Sequence, residues 1–317
     1  MDAPHATDDV VHVVVVHWNQ PVRLRATLAA LADQGVAVRA LVVDNGSAAA
    51  ELDAARAVVA SAPIDARLFE AGTNTGFGPG ANIGLRVWLA EGVGEWAAVV
   101  PHDALPDPGA LAALIAMAAA QHHVGLACAD VGDGETPVVD PYFGGMTVPA
   151  RVAAGWEPAD YPHGTLLLAR RACLEAIGLF DERYFAYCEE ADLGVRARAA
   201  GWQVGLARGV RVTNPTMRSG SPVVDYLMHR NTLLLVREHS GAYHAAIRLI
   251  IAVFQLVRGV VQPSSRAWLF SATGRLAGIV DHLRGRYGPP PPWLLREASG
   301  PEPAVGAAAD QVPASVG

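Results

Sequence analysis

The seven-residue run from Val10 to Val16 is the feature that most constrains the fold. Only His12 interrupts its valines, and continuous Val-rich runs are typical of parallel strands that are buried on both faces. Parallel neighbours need crossover connections, which are usually helices. Such segments do alternate through the first 130 residues. Strands are predicted at Val10–Val16, Val38–Val43, Ala66–Phe69 and Trp96–Val100, and helices at Leu24–Asp33, Glu51–Ala60, Ile83–Ala90 and Leu111–Ala120.

Repeated strand–helix units predict an α/β fold with a mostly parallel, twisted, Rossmann-like sheet and helices on both faces. Such sheets bind their ligands beyond the carboxyl ends of the strands. Polar clusters follow three of the predicted strands, at His17-Trp18-Asn19, Asp44-Asn45-Gly46 and His102-Asp103. A ligand site is therefore expected at this edge of the sheet.

Composition excludes several classes of protein. The 317 residues are 51% hydrophobic and 17% charged, unlike a disordered chain. The net charge of −7 argues against a general nucleic-acid binder. No lysine is present, which excludes a Schiff-base lysine and a Walker phosphate loop. The three cysteines, Cys128, Cys173 and Cys188, are widely spaced and form no CxxC pair, so a disulfide scaffold or thiolate zinc site is not expected.

The N-terminal residues MDAPHATDD have no charged-then-apolar layout of a signal peptide. The apolar runs Val10–Val16 and Leu249–Val257 are too short to span a bilayer. These observations predict a cytoplasmic protein.

The densest group of acidic residues comprises Glu189, Glu190 and Asp192, flanked by Phe185 and Tyr187. Carboxyl groups crowded among aromatic side chains have raised pKa values, and one could act as a general base on a hydroxyl. The alternative is an ordinary helix N-terminus, where acidic residues interact favourably with the helix dipole.

Two further features concern nucleotide binding. Asp103 follows a buried strand and could hold a hard cation on a diphosphate, or could be an ordinary turn residue before Pro106. The glycine-rich stretch Thr73–Gly84 contains GFGPG, which is not the GxGxxG of dinucleotide-binding proteins, and it does not follow the first strand. A nucleotide-dependent oxidoreductase is therefore only a weak alternative.

Five segments in order resemble family 2 glycosyltransferases with the GT-A fold, and most of all their rhamnosyltransferase-like branch. They read VVVVHWN, VVDNGS, TNTGFGPGANIG, VVPHDALPDPGAL and GTLLLARRACLEAIGLFDERYFAYCEEADLGVRARAAGW. The resemblance spans about residues 10–237 and includes YLMHRNTLLLVRE near its end. It favours the catalytic interpretation of the acidic group.

The resemblance implies a role for each matching position. Asp103 would be the ligand for Mg²⁺ or Mn²⁺, and it is the only acidic residue of its motif. Asn214 stands near the place where relatives often carry a histidine, sometimes as a metal ligand. The implied nucleotide-sugar residues are Val16, Trp18, Asn19, Asp44, Asn74, Gly76, Asn82, His102 and Asp103; the implied catalytic base is Glu189 or Glu190; and the implied acceptor-site residues are Asp192, His163 and Gly164, with a structural carboxylate as the alternative role of Asp192.

The implied reaction is inverting transfer of rhamnose or another hexose from a dTDP- or UDP-linked donor to a hydroxyl. The acceptor would be a glycan, a lipid-linked glycan or a natural product, as in cell-wall or polysaccharide biosynthesis. A catalytically weak nucleotide-sugar-binding protein of the same fold remains an alternative.

Three parts are predicted along the chain. Residues 1–240 form the GT-A domain, with nucleotide-sugar binding at about 10–130 and the acceptor and catalytic part at about 131–240. Residues 241–287 form a helical extension that carries six arginines against one aspartate. It is expected either to contact the inner face of the membrane peripherally, or to pack as a pair of helices on the catalytic domain or on a second subunit in a homodimer. Residues 288–317, rich in Pro, Ala and Gly, are expected to be disordered.

Overall fold

A computed structural model describes residues 10–215, 222–267 and 269–297. Helices and strands alternate through the first third of the chain. The strands are β1 Val10–His17, β2 Ala37–Asp44, β3 Asp65–Glu70, β4 Trp96–Pro101, β5 Leu105–Pro106, β6 Val124–Asp130, β7 Glu135–Asp140, β8 Gly144–Pro149, β9 Gly155–Pro158, β10 Leu167–Arg170 and β11 Gln203–Thr213. The helices are α1 Pro21–Ala30, α2 Ala49–Ala60, α3 Phe77–Glu91, α4 Ala110–Ala119, α5 Arg171–Ile177, α6 Glu189–Ala199, α7 Pro222–Val261, α8 Ala272–Leu283 and α9 Pro292–Glu297.

The central sheet has the strand order β3-β2-β1-β4-β10-β6-β11-β5, with β9 paired to β11. The pairs β3–β2, β2–β1, β1–β4 and β6–β11 are parallel, which confirms the predicted α/β architecture. Strand β10 is antiparallel to both β4 and β6. Its amino end therefore lies at the edge where β4 ends, and the residues just before β10 reach the predicted ligand edge.

Both faces of β1 are buried, as its valine run predicts. Val13 and Val15 pack on one side in a cluster that includes Leu24 of α1. Val14 packs on the other side in a cluster that includes Leu85 of α3. Helices on both faces thus fix β1 at the centre of the sheet.

Helix α3 begins six residues earlier than predicted, at Phe77 rather than Ile83. Gly76 precedes it with φ of 102°, a conformation that favours glycine. Pro79 falls in the first turn, where a missing backbone N–H disrupts no helical hydrogen bond. The glycine-rich stretch is therefore mostly helix.

The C-terminal helical extension is present, and α7 bends at Gly241, where φ is 86°. Beyond the bend, Ala252 of α7 packs with Leu233 and with Ile279 of α8. The predicted disorder of 288–317 is wrong for α9, because Leu294 is fully buried in a small apolar cluster. The remainder of that tail, 298–317, lies outside the described residues.

Gly84→Ala should destabilise the protein. An added Cβ would lie 2.6 Å from Cγ1 and 2.8 Å from Cγ2 of Val14. Overpacking of this kind costs about 1–3 kcal/mol, while Ala is only about 1 kcal/mol better than Gly in a helix. Urea unfolding measures the net loss. Adding Val14→Ala, which removes both methyl groups, should make the Gly84 substitution less harmful, and an unchanged penalty in that background would contradict the packing explanation.

Candidate active site

A cavity of about 680 Å³ opens at the carboxyl edge of β4. The structure brings six of the sequence-predicted residues to it: His102, Asp103, His163, Gly164, Glu189 and Glu190. Its other lining residues include Gln20, Arg23, Phe77, Thr165, Tyr187 and Asn214. The reversed direction of β10 explains why His163 and Gly164 reach the same edge as His102.

An unusual turn presents the two glutamates. Tyr187 and Cys188 have φ values of 68° and 74°, which non-glycine residues rarely adopt, and Glu189 begins α6 immediately afterwards. The amide of Asn231, a fully buried α7 residue, donates to the carbonyls of Ala186 at 2.8 Å and Tyr187 at 2.9 Å. Asn231 thus holds the turn, and sequence reasoning missed it. A polar Arg-Asn pair within the apolar stretch YLMHRNTLLLV is the signal that could have indicated it.

Burial sets the charge of the carboxyl pair. Glu189 is 2% exposed, and its Oε2 has no hydrogen-bond partner among the described residues. Burial, followed by the charge of Glu190, raises the pKa of Glu189 well above its ordinary value. Burial also raises the pKa of Glu190 to about 7. Both carboxyls are therefore harder to ionise than an ordinary glutamate, and Glu190 can exchange a proton near neutral pH.

Gly164 makes room for Glu190. A Cβ at residue 164 would lie 2.2 Å from Oε1 of Glu190 and 3.4 Å from the Phe77 ring. A larger residue there would displace the carboxyl group, so glycine permits the contact between the β10 approach and α6.

Asp103 lies at the other end of the cavity lining. The Asn214 amide donates to its Oδ1 at 3.1 Å, and the Arg23 guanidinium lies 4.0 Å from its Oδ2. His102 Nδ1 lies 3.2 Å from the carbonyl oxygen of Val16, and burial lowers the pKa of His102, which favours the neutral ring.

The residues around Asp103 fit a metal only in part. No group of three His, Cys, Asp or Glu able to hold a metal occurs within 10–215, 222–267 and 269–297. Mg²⁺, however, commonly takes one or two protein carboxylates and completes its shell with water and substrate phosphates. A single carboxylate at a cavity that is expected to receive a diphosphate fits that mode.

The residues predicted to contact the nucleoside lie around the end of β1. Trp18 is 44% exposed and offers a flat face. Asn19 accepts a hydrogen bond from the Ala48 amide at 2.8 Å and orders the loop after β2. Asp44 is 1% exposed and bonds to His17 and Ser47. Direct contact of Asp44 with a nucleoside therefore stays a prediction.

The glycine-rich segment packs on the backbone of residues 180–185, the chain segment that precedes Glu189 and Glu190. A Cβ on Gly76 would lie 1.9 Å from the Phe185 carbonyl oxygen, and Asn74 accepts from the Gly76 amide at 3.0 Å. Asn82 is 1% exposed and exchanges two hydrogen bonds with the backbone of Phe180, at 2.9 and 3.0 Å. The expectation that Asn82 lines the donor pocket is thereby corrected, since its amide is used inside the protein.

Of the two roles expected for Asp192, the geometry favours the structural one. It is 3% exposed, and its two oxygens contact Arg196 and His239, each at 2.8 Å. It faces the packing of α6 against α7 and is not among the residues that line the cavity. Asp192 is therefore a structural carboxylate and not an acceptor ligand.

Glu189→Gln should stabilise the fold at alkaline pH. A carboxyl with a raised folded-state pKa contributes stability below the unfolded pKa, which is lost as pH rises towards the folded pKa. Glutamine keeps the shape without that loss, so we expect Tm at pH 8 to rise by about 2 °C or more, with a smaller difference at pH 5. Thermal unfolding at both pH values measures this.

Glu182→Gln is the control of opposite sign. Hydrogen bonds from Asn82 and Arg86 lower the pKa of Glu182, so its contribution to stability is present above the unfolded pKa and Gln should lower Tm at pH 8. A Glu189→Gln variant that is no more stable than the wild type at pH 8 would contradict the raised pKa.

Comparison with known proteins agrees with this geometry. The profile of the family described as "Glycosyltransferase like family 2" matches residues 8–232. A curated relative from Mycobacterium tuberculosis, named N-acetylglucosaminyl-diphospho-decaprenol L-rhamnosyltransferase, is 29% identical over 313 aligned residues, covering 84% of this chain and 99% of the relative.

Two solved structures share the fold. One is the mannosyltransferase PcManGT from Pyrobaculum calidifontis in complex with GDP-Man and Mn²⁺, with a TM-score of 0.56, 16% identity and 88% of each chain covered. The other is GalNAc-T7 with UDP, GalNAc and Mn²⁺, with a TM-score of 0.55 and 14% identity, covering 88% of this chain and 55% of that one. Because the family profile matches most of the sequence, the chain belongs to the family 2 glycosyltransferases and is a glycosyltransferase of GT-A fold.

Proposed function

We propose that this enzyme transfers a sugar, with inversion, from a nucleoside-diphosphate sugar to a hydroxyl of a lipid-linked glycan. The observation that carries the proposal is the adjacent pair of Glu189, which is buried, and Glu190, which is partly buried, on the cavity lining. Rhamnose from dTDP-rhamnose is the first donor to test, because the M. tuberculosis relative is named a rhamnosyltransferase. UDP-hexoses are the second.

Glu190 is the base in this proposal. Its pKa of about 7 lets it accept a proton near neutral pH, and its carboxyl lies against Gly164 on the cavity lining, whereas Glu189 is buried. As the acceptor oxygen bonds to the anomeric carbon, its proton passes to Glu190. The bond from that carbon to the diphosphate oxygen breaks on the opposite face, which inverts the configuration. The same carboxylate pair disfavours the alternative of a catalytically weak binding protein.

The leaving diphosphate needs positive charge. Arg23 lies on the cavity lining next to Asp103 and supplies one fixed cation. When bound at Asp103, Mg²⁺ or Mn²⁺ would neutralise developing charge on the diphosphate. Asn214 orients the Asp103 carboxylate through its amide.

Glu190→Gln should abolish transfer while donor binding survives. Loss of a general base lowers kcat by about 10²- to 10⁴-fold. The wild-type kcat/KM should rise with pH through about 7, because only the ionised Glu190 accepts a proton. Sugar-transfer kinetics across pH 5–9, with donor affinity measured separately, test both expectations. Near wild-type turnover in Glu190→Gln, with loss in Glu189→Gln, would reverse the assignment.

Asp103→Asn should weaken donor binding in the presence of Mg²⁺ or Mn²⁺. The neutral amide is a poorer metal ligand than a carboxylate, so the dependence of donor affinity on metal should shrink. Calorimetric titration with the nucleoside-diphosphate sugar, with metal and with EDTA, measures it. Asp107→Asn, an exposed carboxylate in the same segment, is the matched control. Full wild-type activity in EDTA would assign the diphosphate to Arg23 and backbone amides instead.

The C-terminal extension is proposed to rest on an anionic membrane surface. Beyond Gly241, α7 exposes an apolar face that its packing on α8 leaves uncovered: Ile250 68%, Val253 44%, Phe254 63%, Val257 54% and Val260 52% exposed. α7 is also the one helix among the described residues long and apolar enough to span a bilayer. The exposed Arg258 lies beside this face, and apolar faces bordered by arginine bind anionic interfaces.

Ile250→Ser with Phe254→Ser should reduce binding to vesicles of phosphatidylglycerol and phosphatidylcholine by at least about tenfold, since two large apolar side chains no longer enter the interface. Co-sedimentation measures this, and Val93→Ser, an exposed apolar residue in the loop after α3, is the control. Vesicle binding that is absent in the wild type, together with a dimer that this double variant dissociates, would instead identify α7 as a subunit interface.

A further inference from the structure

A second cavity, of about 370 Å³, lies between the two halves of α7, α8 and the segment that joins them. Its lining is unusually basic for an acidic protein. It contains four arginines and a single carboxylate, Asp225. The arginines are Arg248, Arg258, Arg266 and Arg275.

The single carboxylate is fully used by its neighbours. Asp225 Oδ1 contacts the Arg275 guanidinium at 3.0 Å and His229 Nδ1 at 2.9 Å. Its Oδ2 accepts from Arg275 Nε at 3.2 Å and from the Ser271 amide at 2.8 Å. Asp225 therefore neutralises Arg275, and among the described lining residues no other carboxylate is present for the remaining three guanidinium groups.

Arg248 is the group that most needs an acceptor. It is 7% exposed, and within the described part of the chain its Nε and Nη1 have no hydrogen-bond partner. The Nε2 atom of His229, also buried, has no partner there either. The Phe143 ring lies 6.0 Å from the Arg248 guanidinium but offers no oxygen acceptor for its unpaired N–H groups. A buried charge with unpaired donors is unfavourable, so the lining is complementary to an anion with several oxygens.

The chemistry of the donors indicates which anion. Guanidinium groups form paired, planar hydrogen bonds with phosphate oxygens, and several around one cavity suit a group with more than one negative charge. Arg258 and Arg266 are exposed, so charge extends from the buried Arg248 to the mouth of the cavity. A phosphate or diphosphate fits these donors.

One face of α7 connects this cavity with the catalytic centre. Asp225 and His229 lie on that face, and Thr232 follows His229 by three residues, about 4.5 Å along the helix. Thr232 Oγ1 lies 3.8 Å from the sulfur of Cys188, the residue before Glu189. On the other side, Arg258 borders the exposed apolar face of α7 with Phe254.

We propose that this arginine cavity binds the diphosphate of a lipid-linked acceptor, with the lipid along the exposed face of α7 and the sugar directed towards Glu190. The proposal rests on the proposed function, because it assumes a lipid-linked acceptor. It adds a binding site for the charged part of that acceptor, separate from the donor cavity at Asp103.

Binding of inorganic pyrophosphate to the full chain is the first test. Arg248→Gln should weaken it at least about tenfold, and the exposed Arg258→Gln, which leaves the buried structure intact, should weaken it in the same direction. Arg25→Gln, an exposed arginine on α1, is the matched control and should bind as the wild type does. Pyrophosphate affinity unchanged in both cavity variants would overturn the proposal.

Kinetics with two acceptors form the second test. One is N-acetylglucosamine on a short polyprenyl diphosphate, and the other is an alkyl glycoside of the same sugar, without phosphate. Arg258→Gln should raise KM for the diphosphate acceptor at least about tenfold while KM for the alkyl glycoside and for the donor is unchanged. Equal effects on both acceptors would overturn the proposal.

Two further outcomes distinguish a lipid headgroup from an acceptor diphosphate as the bound anion, and the anion site from the proposed lipid-linked function. If Arg258→Gln weakens binding to phosphatidylglycerol vesicles but leaves KM for the diphosphate acceptor unchanged, the cavity holds a lipid headgroup and the acceptor assignment is overturned. If pyrophosphate binding depends on Arg248 but the wild type glycosylates only phosphate-free acceptors, the proposed lipid-linked function fails while the anion site itself stands.

Discussion

The hydrogen bonds to the backbone of residues 180–188 are the interactions on which the rest of the site depends. Asn82 of α3 holds Phe180, the Phe77 amide donates to the Phe185 carbonyl at 2.7 Å, and Asn231 of α7 holds the following turn. Helices far apart in sequence therefore converge on one loop. Only with that loop fixed can Glu189 and Glu190 begin α6 beside Gly164 and lose enough water for their pKa values to rise.

Much of this arrangement can be predicted from the sequence where the signal is local. The valine run identifies β1, and the polar residues after β1, β2 and β4 identify the ligand edge, because strand direction is set by the crossover helices. The carboxyl pair is recognisable for the same reason, since Glu189 and Glu190 are adjacent.

The rest depends on partners that local pattern does not contain. Asn82 and Phe180 are 98 positions apart, and Asp192 and His239 are 47 apart. An amide or a carboxylate looks the same in sequence whether it faces a ligand or a buried protein group, so the sequence alone does not decide the surroundings of Asn82 and Asp192. The antiparallel insertion of β10 likewise depends on pairing with β4 and β6, which no single segment encodes.

Apolar residues on nearly every side of 247–257 are typical of a buried helix, yet this part of α7 is covered on one side only: Ala252 packs with Leu233 and Ile279, whereas Ile250 and Phe254 are exposed. The periodicity of apolar residues shows how much apolar surface a helix has, but it does not show whether protein or lipid covers that surface.

Net charge likewise does not show where charged residues cluster. The value of −7 describes the chain as a whole, whereas four arginines converge where α7 meets α8.

The two carboxyls have different proposed roles although they are adjacent. Burial raises the pKa of both groups, and the charge of one disfavours ionisation of the other. Glu189 is more deeply buried than Glu190, so Glu190 is the group that we expect to ionise first. Burying Glu189 makes the fold less stable at alkaline pH. The same burial raises the pKa of Glu190 to about 7, so that this carboxylate can accept a proton near neutral pH. Stability and catalysis thus oppose each other at this pair of residues, and the hydrogen bonds of the 180–188 loop are what keep the unfavourable arrangement in place.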